Sequence, residues 1–110
     1  MTGTVKQVEW ANQIIAEKIN TCNANIAHAE KMAAEHNGIQ IFVDAVEHWN
    51  ILKAVLENLF ADPRMQDAAL IIDRRNSLPD PIALLNQAGT IATNKGISKT
   101  EALKAICGIK

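Results

Sequence analysis

Apolar residues recur with a period of seven along the first third of the chain. Val5, Asn12, Ile19, Ile26 and Ala33 hold one position of the repeat, and Val8, Ile15, Cys22, Ala29 and His36 hold its partner position. That spacing keeps one stripe of a helix turned toward a neighbour, as in a coiled-coil seam. Thr4-Val5-Lys6-Gln7 marks the start, a capping box in which the Thr4 hydroxyl accepts from the Gln7 amide, and Asn37-Gly38 marks the stop. A second stripe follows, made of Phe42, Ala45, Trp49, Leu52, Leu56 and Leu59 and widened by Val46, Val55 and Phe60. It ends at Ala61-Asp62-Pro63. The connection at 37–39 is short enough to fold the second helix back along the first, so residues 4–61 are expected to form an antiparallel hairpin.

Asp62-Pro63 then has the form of an N-cap and first helical residue. A third helix is expected from there to about Arg75, with Met65, Ala68, Ala69 and Ile72 inward. After the connector "NSLPDP" (76–81), Asp80-Pro81 repeats the same device and opens a fourth helix. Its Ile82, Leu85, Ala88 and Ala92 fall at helical spacing, and it stops at Lys95-Gly96. Ser98-Lys99-Thr100-Glu101 is a second capping box, opening a fifth helix that carries Ala102, Leu103 and Ile106 and stops at Gly108. No stretch alternates as a strand does. The expected fold is all-α, a small bundle of four to five helices built on the long N-terminal hairpin. Residues 1–110 read as a single domain in which three shorter helices of 63–110 pack on 4–61.

Composition sharpens this. The chain has 110 residues, 48% of them apolar, which suffices for a core without staples, and it contains no Tyr. Cys22 and Cys107 lie 85 positions apart and form no CxxC pair, which fits two thiols in a reducing cytosol. The opening "MTGTVKQVEW" lacks the apolar core of a secretory signal, and the longest apolar run, Ala68–Ile72, is far short of a membrane span. A cytoplasmic protein with no membrane contact is expected. Charge is divided: residues 1–62 carry four Lys and eight acids, −4, whereas 63–110 carry seven Lys or Arg and four acids, +3.

Three patterns carry candidate chemistry. The stretch "AHAEKMAAEHNG" (27–38) resembles the histidine-phosphotransfer motif of two-component relays: Ala27-His28 matches its first pair, Lys31 its helper lysine, and Gly38 stands ten residues past the histidine. The resemblance implies a phosphoryl group accepted by His28 and steadied by Lys31. Glu30 and Met32 replace the motif's apolar residue and first glycine, which ranks this reading third.

"TIATNKGISKTEALKAI" (90–106) looks like the turn of a helix-turn-helix, with Ala92, Gly96, Ile97, Ala102 and Ala105 in the small and apolar slots. A dimeric DNA-binding regulator would then use Arg74, Arg75, Lys99, Thr100 and Lys104. Glu101 and the modest +3 balance rank it second, since DNA affinity rests on several neutralised phosphates.

Trp10, Ile14 and Ile41 are apolar but lie off the two seams, so each meets the later helices or a partner. These are the protein-contact candidates. Asn12, a polar residue on the seam, is of the kind that sets register in a self-associating pair. Asp44 and His48, four residues apart, read as a surface ion pair; no metal-ligand pairing, phosphate loop or nucleophile motif is present, so neither cofactor nor catalysis is expected. The leading expectation is a non-enzymatic module that binds another protein or a copy of itself.

Overall fold

The computed structural model describes residues 1–107, and among these the chain is all-α. The helices are α1 (Val5–Glu35), α2 (Gln40–Ala61), α3 (Ala68–Asp73), α4 (Pro81–Lys95) and α5 (Lys99–Ile106), with a 3₁₀ turn at Pro63–Met65. The stop foreseen at Gly108 lies outside the described residues.

The local signals explain most boundaries. Thr4 and Gln7 form both halves of the capping box, Gln7 N–H to Thr4 Oγ1 at 3.2 Å and Thr4 N–H to Gln7 Oε1 at 3.0 Å. At the other end of α1, Asn37 (φ 57°) and Gly38 (φ 71°) are both left-handed, and the Gly38 N–H donates to Ala33 O at 2.7 Å. That bond satisfies a free carbonyl of the last turn and reverses the chain into α2. Asp80 and Ser98 cap α4 and α5 as expected, accepting from Ile82 N and Glu101 N at 3.1 Å each.

The third helix differs from expectation. Asp62-Pro63 opens only a 3₁₀ turn, in which the Asp62 carboxylate accepts from Arg64 N at 2.9 Å and from its guanidinium at 3.1 and 2.9 Å. The fork of bonds from Arg64 holds the Asp62 carboxyl down to about 2. The turn ends at Gln66, whose side-chain amide donates to Phe60 O at 2.8 Å. Asp67 then caps α3 by accepting from Ala69 N at 3.1 Å. A non-local tie fixes this break: Thr2 N–H donates to Gln66 O at 2.7 Å, and Ala68 N–H to Thr2 O at 2.9 Å. Gly3 makes that approach feasible. Its φ is 135°, and a Cβ there would stand 3.0 Å from Ala68 Cβ.

Packing gives two clusters. In the larger, Cys22 of α1 and Trp49, Leu52, Leu56 and Phe60 of α2 meet Ala88 of α4 and Ala102 and Leu103 of α5. In the smaller, Ala11 of α1 meets Ala68 and Ile71 of α3. Each leucine or isoleucine fully removed from water contributes about 1.5–3 kcal/mol.

The seam therefore holds from Ile15 to Ala33, and before it only Val8 turns inward, half-buried on the smaller cluster. Val5 is 76% exposed and Asn12 is exposed, while Ala11 is fully buried because α3 packs against that side of α1. On the third helix Ile71 is buried and Ala69 only partly so. Ile82, expected inward, stands half out of the first turn of α4. No helix among the described residues is long and apolar enough to cross a membrane.

Candidate functional site

The inward stripe of α2 outruns its cover. Leu56 and Leu52 are wholly buried, and His48 and Trp49 one turn earlier are 8% exposed. Ala45 is half-buried, and Ile41 at the outer end is 68% exposed. One helical face thus passes from core to solvent within three turns, without a change in its apolar character. The uncovered part forms one wall of a groove of about 370 Å³, lined by Ile41, Asp44, Ala45, His48, Trp49, Leu85 and Lys99.

His48 is the polar residue buried within this wall. Its Nε2 lies 2.9 Å from Thr100 Oγ1, joining α2 to the first turn of α5. The expected surface pair with Asp44 is corrected by this geometry: His48 turns to Thr100, and Asp44 accepts from Gln40 Nε2 at 2.7 Å. Burial pushes the His48 pKa below the ordinary imidazole value, and the Lys99 cation lowers it further against the opposing pull of Asp44 and Glu47. Both effects favour the neutral imidazole, and its contact with Thr100 latches α2 to α5.

The sequence candidates fall in different places. Of the contact candidates, Ile14 packs on the small cluster with Ala11 and Ile71, and Trp10 is half exposed beneath the Arg75 guanidinium, whose Cζ lies 5.2 Å from the ring centroid. Ile41 alone of the three lines the groove.

For the helix-turn-helix set, Arg75 covers Trp10 and donates from Nη1 to Ile72 O at 2.7 Å, and Thr100 is bonded to His48. Lys99 leans on α4, where a Cβ on Gly89 would lie 3.6 Å from Lys99 Cε. Lys104 is half-buried and Arg74 exposed. Lys99 and Thr100 thus turn toward neighbouring helices, whereas the sequence pattern had them facing outward.

For the relay set, His28 is exposed, and Lys31 sits one turn from Glu35, Nζ to Oε1 at 3.9 Å. Both thiols, Cys22 and Cys107, are pushed up in pKa by burial. Among the described residues no group of three or more His, Cys, Asp or Glu is placed to hold a metal ion.

The His48–Thr100 pair and the Leu85 wall were not foreseen. His48 carries a usable signal, since it stands seven residues after Ile41 and four before Leu52 and so lies on the inward stripe. Comparison of the chain with known protein families, curated proteins and solved structures gives no match.

Proposed function

We propose that the protein is a non-enzymatic interaction module that binds another protein through the open end of the α2 stripe. The observation that carries this is Ile41, set at 68% exposure on a helical face whose other members form the core. An apolar side chain continuous with a core gains the full burial term once a partner covers it. The groove beside it supplies what a contact surface needs, apolar side chains together with the charged Asp44 and Lys99 in one lining. His48 and Thr100 support the same reading, because they fix α5 against α2 and so hold the groove walls in register. The test is a photo-reactive residue placed at position 41 in the native cell, with Ala24 on the exposed face of α1 as the reference position. A discrete covalent adduct at 41 and none at 24 is expected. Equal labelling at the two positions, or none at either, would refute the reading.

A further inference from the structure

We propose that α4 and α5 form a hairpin that acid releases from α2, with His48 as its catch. The proposal is independent of what covers Ile41.

The packing supplies the moving part. α4 and α5 lie chiefly on each other; α5 also meets α2, and α4 meets α1 and α2 more lightly. The connector 74–80 that joins them to α3 contains no helix. Among the described residues, the bond from His48 Nε2 to Thr100 Oγ1 is the only side-chain hydrogen bond between this hairpin and α1 or α2. The three ion pairs, Lys31–Glu35, Lys53–Glu57 and Arg64–Asp62, all lie elsewhere. Apolar contact among Leu52, Leu56, Ala102 and Leu103 keeps the released form rare at neutral pH.

Charge decides when the catch holds. The ring is 8% exposed and touches the first turn of α5, the positive end of that helix's dipole. An imidazolium can still donate to Thr100 Oγ1, so the bond itself survives protonation. What opposes the proton is burial, and then the Lys99 cation, while Asp44 and Glu47 favour it. Among the described residues α1 and α4 add no charge to that set. Asp44 and Glu47 share α2 with His48 and stay beside it when α5 leaves. Lys99 goes with α5. Release thus removes the opposing cation, opens the ring to water and keeps the two carboxylates near it. Below the ordinary 6.5 the released form takes up a proton that the docked form refuses, so acid draws the equilibrium toward release.

Hydrogen exchange in the full chain tests this. The Ala102 and Cys107 amides donate to Ser98 O and Leu103 O at 3.0 Å each, and an eight-residue helix does not keep such bonds alone in water. At about pH 7.5 these amides should be less protected than the middle of α1, with a weaker dependence on denaturant, because release exposes less surface than unfolding. On moving to about pH 5.5 their protection, corrected for intrinsic rate, should fall several-fold, with about tenfold per pH unit as the limit for one proton. His48→Gln takes up no proton and should abolish the fall. Lys99→Gln, a change at a partly exposed side chain, should shrink it and serves if His48→Gln does not fold. Protection and denaturant dependence equal to those of α1 would mean that α5 leaves only with the whole fold, which overturns the proposal. So would a parent without the fall, or a fall undiminished in either variant.

Discussion

His48 on α2 and Thr100 on α5 are 52 residues apart in sequence and 2.9 Å apart in space, and their contact closes one side of the groove that Ile41 opens. The imidazole is buried, near a lysine, and most stable there when neutral. Its pKa is therefore lower in the folded chain than the ordinary 6.5. Below that value the unfolded chain takes up a proton that the folded chain refuses, so folding stability falls as the pH drops from 6.5 toward the depressed folded value. Above 6.5 both states are neutral and this contribution is flat. Denaturant melts at a series of pH values should show the decline in the parent and a smaller one in His48→Gln. An equal decline in both would remove His48 as its source.

Core burial predicts a contrast along the hairpin. Leu52→Ala should cost about 2–5 kcal/mol and Trp49→Ala about 3–5 kcal/mol, because both pack in the larger cluster. His28→Ala should lie within about 0.5 kcal/mol of the parent, since the side chain is exposed. Urea titrations of the three variants check this. A large loss at His28 would place it in a contact the fold does not contain.

The tie between residues 1–3 and the start of α3 predicts a local effect. Gly3→Ala meets both the positive φ and Ala68 Cβ, at about 1–3 kcal/mol for the forced conformation. The cheaper response is to release the N-terminal residues. Hydrogen exchange at the Ala68 amide, which donates to Thr2 O, should then speed up while exchange in the middle of α2 is unchanged. Unchanged protection at Ala68 would mean that the bridge does not depend on Gly3.

What the sequence disclosed and what it hid follow one physical division. Caps and stripes are local, so Thr4–Gln7, Asn37-Gly38, Asp80-Pro81 and Ser98 located helix ends, and the seven-residue repeat located the hairpin. The third helix was misplaced because two start signals, Asp62-Pro63 and Asp67, lie five residues apart, and each is adequate locally. The bridge from Thr2 and the burial of Ile71 lie beside the second signal, and both are long-range. Moving the start moved the inward register from Ala69 to Ile71. The site was half legible. Ile41 stood out as an apolar contact candidate off the seam, whereas in the structure it continues the stripe of Ala45 and Leu52. The partner of His48 and the Leu85 wall depend on how α4 and α5 dock, which no spacing within α2 encodes.

The basic residues of the second half predict weak binding to nucleic acid. Arg75 and Thr100 are engaged within the chain, and Lys99 leans on α4, which leaves few cations to neutralise phosphates together. No duplex should be bound below about 10 μM at physiological salt. Anisotropy titrations showing tight, salt-sensitive binding that Lys99→Ala weakens would reverse this.

Covalent footprinting of aliphatic side chains tests most directly whether Ile41 is a contact residue. Val5 is 76% exposed at the start of α1, does not line the groove, and supplies an internal reference on the same chain. In dilute purified protein both Val5 and Ile41 should be labelled. Inside the native cell, labelling at Ile41 and Leu85 should fall several-fold relative to Val5, as expected when a partner excludes water from an interface. An Ile41-to-Val5 labelling ratio that is the same in the cell as in dilute solution would contradict the contact surface.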